Sequence, residues 1–255
     1  MFRRIAMFAY GVACYLAALA TFVYLAAFLE NIGVPRSIDS APQTSLWIAL
    51  LVDFGLLAMF GVQHSVMARP AFKAMWTKIV PEAAERSTYV LFSSVAMFFL
   101  FWQWQPIGGV IWNIENAYGR IALYTMYAVG WILVLTTTFL INHFDLFGLR
   151  QVTLQLIGRP YTKLEFRTPG IYKLVRHPLY VGWVIVFWST PEMTAAHLLF
   201  ALGLTAYILV AIRYEERDLV QMHREYAEYR RRVPMMVPTG LTSQAAEKEV
   251  TEDWA

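Results

Sequence analysis

Residues 176–216 read RHPLYVGWVIVFWSTPEMTAAHLLFALGLTAYILVAIRYEE. Two apolar runs, roughly 179–190 and 194–212, are joined at Pro191 and bracketed by charge. Arg176 and His177 stand before them, and Arg213, Glu215 and Glu216 after them. The pattern reads as a helical hairpin with both charged clusters at the same end. Ionisable groups beside a bilayer are expensive, so the clusters need a reason. The first run has about a dozen residues, which reach roughly 18–20 Å at 1.5 Å per residue. That is too short to cross about 30 Å of hydrocarbon. Either Ile171–Val175 extends it, or its start lies below the membrane surface. Pro178 suits the first turn of a helix, which favours the second reading and places Arg176 and His177 in a recess.

Four more apolar runs precede the hairpin, at roughly 5–29, 46–67, 88–104 and 121–141. The first, second and fourth have the roughly 20 residues a spanning helix needs, and the third is slightly short. The 255 residues are 58% hydrophobic and only 15% charged, against about 45–50% and about 25% for an ordinary soluble domain. The expected fold is an all-α, polytopic membrane helix bundle of five to six spans, including the C-terminal hairpin, with both termini cytoplasmic. The run at 5–29 is too long for the apolar region of a cleavable signal peptide, about 7–15 residues, and no small-residue cleavage site follows it. Cys14 is the only cysteine, which excludes an intramolecular disulfide and a multi-thiolate zinc site. No metal site is expected.

Charge sets the orientation. With the N-terminus in the cytoplasm and six spans threaded, 19 of the 21 basic residues fall inside, and only Arg36 and Arg120 fall outside. So strong a bias satisfies the positive-inside rule. It places the charged clusters of the hairpin on the cytoplasmic side of a cell membrane. Residues 1–238 read as one transmembrane domain, whose cofactor-binding half is about 142–235. Residues 239–255 read as a mobile polar tail. The connection 142–177 is longer than the usual limit of about 12–15 residues for a structureless loop. It carries Phe144, Phe147, Leu154, Ile157, Tyr161 and Phe166, so it is expected to fold over the cytoplasmic mouth as a lid.

A cationic and an anionic wall at one mouth suit a zwitterionic cofactor such as S-adenosylmethionine. The amides opening a helix at Pro178 favour a carboxylate, and Arg176 and His177 add positive charge. Glu215 and Glu216 can accept from an ammonium group or ribose hydroxyls. Tyr172, Tyr180 and Tyr214 can lie against an adenine ring or a sulfonium. Gly182 permits a close approach of backbone or ligand. The plainer alternative is that the arginines reach lipid phosphates while the glutamates neutralise them.

Farther upstream, His64, Arg86 and His143 fall near the cytoplasmic ends of three separate spans, and Asp145 follows two residues after His143. His64 or His143, oriented by Asp145, can serve as base toward an acceptor that must lose a proton, and Arg86 can stabilise the resulting anion. Proximity in a dry pocket is the competing account. Each of these residues also has an ordinary interfacial reading. Asp53 reads as structural, His197 and His223 as interfacial, and Trp102, Trp104 and Trp112 as an outer aromatic belt.

The segment Arg176-His177-Pro178-Leu179-Tyr180-Val181-Gly182, followed by Glu215-Glu216 and Tyr226, resembles the C-terminal signature of membrane methyltransferases related to isoprenylcysteine carboxyl methyltransferase and phospholipid methyltransferases. This resemblance covers about residues 170–235. It implies an S-adenosylmethionine site built from Arg176, His177, Pro178, Tyr180, Gly182, Arg213, Tyr214, Glu215 and Glu216. Gln63-His64-Ser65-Val66-Met67-Ala68-Arg69-Pro70, Glu85-Arg86-Ser87-Thr88-Tyr89 and the stretch from Asn142 to Gln151 are similar to the nurim-type branch, which includes bacterial methanethiol S-methyltransferases. That similarity runs from about residue 5 to 235 and implies methylation of methanethiol to dimethyl sulfide. Other thiols, a prenylcysteine carboxylate or a lipid remain alternative acceptors. A b-type haem protein using His64 and His143, and a non-catalytic scaffold or transporter, are the alternatives of another class. The expected partners are a small volatile thiol and the lipid bilayer, with no nucleic acid and no obligatory protein partner.

Overall fold

The computed structural model describes residues 1–162 and 164–238; the tail expected to be mobile lies outside them. Ten helices appear among the described residues. They are α1 (Phe2–Leu29), α2 (Leu46–Ala68), α3 (Pro70–Trp76), α4 (Glu82–Gln103), α5 (Ala117–Ile141), α6 (His143–Leu146), α7 (Leu149–Leu156), α8 (Pro178–Trp188), α9 (Ala195–Met222) and α10 (Arg224–Arg232). α1, α2, α5 and α9 are long and apolar enough to cross a membrane. α4 has 22 residues, with Glu82 and Glu85 in its first turn. The chain is a multi-pass helical membrane protein.

Apolar faces of α1, α2, α4, α8 and α9 meet in one core, where Phe28, Leu100, Phe101, Trp104 and Phe200 are almost wholly buried. Trp104 therefore belongs to this core and not to an outer belt, whereas Trp102 is exposed. Asp53 is buried and accepts the Gln105 amide at 2.8 Å, closing the end of α4. Its role is structural, as its depth in the span implied. His197 is also buried. It is bonded to the Phe187 carbonyl at 3.0 Å and ties α9 to α8 from inside the core, not from an interface.

The hairpin forms as expected, with α8 opening at Pro178. Its 11 residues rise only about 16 Å, while the 28 of α9 rise about 42 Å. The missing length is made up partly at the outer end, by extended chain. There β2 (Glu192–Thr194) pairs antiparallel with β1 (Val110–Asn113). An all-helical reading had no place for this ribbon. The ladder and a bond from Ile114 N to Pro191 O at 2.9 Å hold this ribbon together.

α5 packs along α8. A Cβ on Gly182 would lie 2.9 Å from Val134 Cγ2 and 3.0 Å from Val134 N, and one on Gly130 would lie 2.9 Å from Val186 Cγ2. Two glycines thus let the helix backbones meet, the close crossing typical of membrane helices. Gly182 serves this contact and not the approach of a ligand.

Candidate active site

Two cavities flank the amino end of α8. One, of about 230 Å³, is lined by α1, α2, α4, α5, α8, α9 and Leu146–Phe147, and is mostly apolar, with His64, Arg86, Tyr89 and Tyr180 and the hydroxyls of Thr21, Ser93, Ser94, Thr138 and Tyr207 on its wall. The other, of about 910 Å³, is more polar and is lined by residues between Phe139 and Tyr229, among them Arg176, His177, Glu215 and the rings of Phe166, Tyr172 and Tyr229. Leu179 and Tyr180 line both. These residues are the second and third of α8, where backbone amides have no helical acceptor.

The charged clusters of the hairpin do not face each other across a gap. Arg176 Nε donates to Glu216 Oε1 at 2.7 Å, His177 Nε2 is 3.0 Å from the same oxygen, and the Tyr226 hydroxyl is 3.4 Å from it. Arg176 also donates to the carbonyls of Arg230 and Val233, and the amides of Arg176 and His177 donate to the carbonyls of Pro234 and Met235. Glu216 is therefore the buried clasp that fastens the C-terminal segment beneath α8. Its neighbour Glu215 is turned differently, accepting from the Tyr180 hydroxyl at 2.8 Å and lining the larger cavity. Arg213 and Tyr214 are exposed and line neither cavity. The Tyr214 ring instead lies 5.7 Å from the Arg69 guanidinium. One helical turn separates inward from outward positions on α9, and the sequence cluster mixes the two.

Upstream, the three motifs do converge. The segment from Asn142 to Gly148 docks on the start of α4, where Arg86 Nε donates to the Leu146 carbonyl at 2.7 Å and a Cβ on Gly148, at φ 86°, would strike Ser87 N at 2.6 Å. His64 is stacked on Phe60 and held by α4. Its Nε2 is 2.9 Å from the Tyr89 hydroxyl, its Nδ1 is 3.0 Å from Ser93 Oγ, and Ser93 in turn donates to the Tyr89 carbonyl. The Tyr89 hydroxyl lies against the edge of the imidazole, 2.9 Å from Nε2 and 3.1 Å from Nδ1. The Arg86 guanidinium lies 4.8 Å over the Tyr89 ring.

His143 is placed otherwise. It is buried, stacked on Phe139 at 4.2 Å, and bonded through Nε2 to Tyr15 and through Nδ1 to Thr138. Burial holds its imidazole below the usual histidine range. It does not line the smaller cavity. Asp145 does not orient it. That carboxylate pairs with Arg150 at 2.9 Å and accepts from Tyr161 at 3.3 Å, fixing the start of the lid segment. Sequence reasoning did not single out Tyr89, Ser93, Phe166 or Tyr229 as site residues. Only the helical spacing of Tyr89 and Ser93 from Arg86 could have pointed to the first two.

No family model matches the chain, and no solved structure does. Curated proteins match over most of its length. It is 59% identical over 230 residues to a methanethiol S-methyltransferase of Crocosphaera subtropica, covering 90% of both chains. It is 49% identical over 237 residues to one of Mycobacterium tuberculosis, covering 92% of this chain and 97% of that one. Nurim of Sus scrofa is 28% identical over 183 residues, covering 69% and 70%. At 59% and 49% identity over nine-tenths of its length, the chain that carries this clasp, this histidine–tyrosine network and these paired cavities belongs to the methanethiol S-methyltransferase family.

Proposed function

We propose that this chain transfers a methyl group from S-adenosylmethionine to methanethiol, giving dimethyl sulfide, with the donor in the larger cavity and the acceptor in the smaller. The observation that carries this reading is the shared wall at Leu179 and Tyr180, where two chemically different cavities meet. The residues of the larger cavity fit the donor. The amides opening α8 suit its carboxylate, the Glu215 carboxylate suits its ammonium group, and the rings of Phe166, Tyr172 and Tyr229 suit adenine. Bound there, the donor supplies an electrophilic methyl group on a sulfonium.

The chain's own residues prepare the acceptor. The thiolate is the reactive form. The Tyr89 hydroxyl lies 2.9 Å from His64 Nε2, a contact through which a thiol proton passes to the imidazole. Arg86 at the edge of the cavity favours the anion. His143 and Asp145 hold the floor of the site and take no part in proton transfer. A haem reading gains nothing from the geometry, because both ring nitrogens of His64 and of His143 are engaged by side chains and the two rings line different cavities. The bias of basic residues supports a cell-membrane protein whose site opens to the cytoplasm, where the donor is made.

Headspace gas chromatography of cells expressing the chain and fed methanethiol tests the acceptor, and calorimetry with the purified protein tests the donor. A general base contributes roughly 10²–10⁴-fold. His64→Phe is expected to lose activity on that scale at neutral pH and to recover as the medium itself ionises the thiol. A defect unchanged from pH 7 to pH 10 would remove His64 from the role of base.

A further inference from the structure

The smaller cavity is far larger than methanethiol requires. An apolar cavity of roughly 150 Å³ holds benzene, with its six heavy atoms. At that scale 230 Å³ accommodates about nine heavy atoms, where methanethiol has two. The cavity is also long. Along α4 its lining runs from Arg86 to Met97, and along α8 from Leu179 to Phe187, which at 1.5 Å per residue spans about 16 Å and about 12 Å. His64, Arg86, Tyr89 and Tyr180 gather toward one end, while the hydroxyls of Thr21, Ser93, Ser94, Thr138 and Tyr207 on the same wall are already bonded within the protein. The far end is closed by Leu25, Met97, Phe187 and Leu204, all in or against the main apolar core.

From this geometry we infer a wider acceptor class. The enzyme methylates straight-chain alkanethiols up to about eight carbons, with sulfur at the polar end and the chain laid along the bundle toward Met97 and Phe187. The inference rests on the proposed methyltransferase function and extends it. Sulfur forms its new carbon–sulfur bond as the methyl–sulfonium bond of the donor breaks. The thiol proton leaves through Tyr89 and His64 to solvent, and the two products are neutral thioethers. Each methylene that leaves water for the cavity gains roughly 0.8 kcal/mol, about fourfold in affinity. Because that gain is the same in ground and transition states, it appears in KM and not in kcat.

The test is a chain-length series on the purified, donor-saturated protein. Methanethiol and the ethane, butane, hexane, octane and dodecane thiols are assayed at known free concentration, with methyl alkyl sulfide measured by gas chromatography. KM is expected to fall about fourfold per carbon as far as hexanethiol, with kcat nearly level, and turnover to collapse by dodecanethiol. Leu204→Trp, which fills the far end, is expected to shorten the longest accepted chain by about two carbons. The wild-type series decides the matter even if that variant does not fold. If methanethiol is turned over and kcat/KM falls from the first added carbon, the inference is overturned and the proposed function stands. If the donor binds and no thiol of any length is methylated, both are overturned.

Discussion

Glu216→Gln separates a residue that holds the donor site together from one that touches the donor. The change keeps the shape of the side chain and removes its charge. In the native arrangement one oxygen of Glu216 serves Arg176 at 2.7 Å, His177 at 3.0 Å and Tyr226 at 3.4 Å, with both ion-pair side chains largely buried. Breaking a buried pair costs roughly 3–5 kcal/mol. Arg176 keeps its bonds to the carbonyls of Arg230 and Val233, and a glutamine can still accept one hydrogen bond, so the lower part of the range applies. A loss of about 3 kcal/mol in the docking of residues 224–238 follows. At about 1.4 kcal/mol per factor of ten, donor affinity falls up to about 100-fold, because the segment that backs the cavity is released for much of the time.

The assay needs two readouts on the same protein. Calorimetry with S-adenosylmethionine measures affinity. Amide hydrogen exchange at Arg176 and His177, whose amides donate to Pro234 and Met235, measures docking. Glu216→Gln is expected to degrade both together. Glu215→Gln is expected to weaken binding while leaving exchange at those two amides unchanged, since Glu215 bonds only to Tyr180 among the described residues. If Glu216→Gln weakens binding with no change in exchange, Glu216 contacts the donor directly and the clasp argument fails.

Three further outcomes follow from the same geometry. His143 is held neutral by burial, and a histidine with its folded pKa lowered contributes stability above its unfolded pKa, near 6.5, that is lost as pH falls toward the folded value. Thermal stability should therefore decline below about pH 6.5, and His143→Gln should flatten that decline; an unchanged profile would remove His143 as its source. Gly182→Val forces a side chain into Val134 and the Gly130 carbonyl and should cost about 2–3 kcal/mol by overpacking, read as a lower unfolding temperature in detergent. Asp145→Asn breaks the pair with Arg150 and should raise proteolytic cleavage in 157–169 with little change in unfolding temperature, because the pair is partly exposed and worth about 1 kcal/mol or less.

The spanning helices were legible because hydrophobic length is a one-dimensional quantity. Pro178 and Pro191 likewise announced the short arm of the hairpin. What the sequence could not convey was the azimuth of side chains on each helix. Arg213, Tyr214, Glu215 and Glu216 are contiguous in sequence and scatter around α9, so that only the glutamates face the hairpin. Asp145 and His143 are two apart on a single turn, which points them to different neighbours. Gly182 looked like room for a ligand and proved to be room for α5, because the helix that needs the space lies some fifty residues earlier. The β1–β2 ribbon was missed for a related reason. Three- and four-residue strands carry no periodic signal, and this one exists because an interrupted arm must satisfy its backbone.

The inequality of the two hairpin arms explains why a site exists here at all. Had α8 matched α9, it would have continued on the amino side of Pro178 and packed along α9 there. Instead α8 begins at Pro178 while α9 runs on to Met222. The flank of α9 that α8 leaves bare is met by α10, by residues 234–235 and by the 142–177 connection, and the polar cavity lies among them. A helix that starts inside the protein also presents unpaired amides there, at the point where the apolar cavity ends. On the proposed function, a polar compartment for the donor and a mostly apolar one for the thiol are thereby brought together at a single turn of helix, where Leu179 and Tyr180 line both.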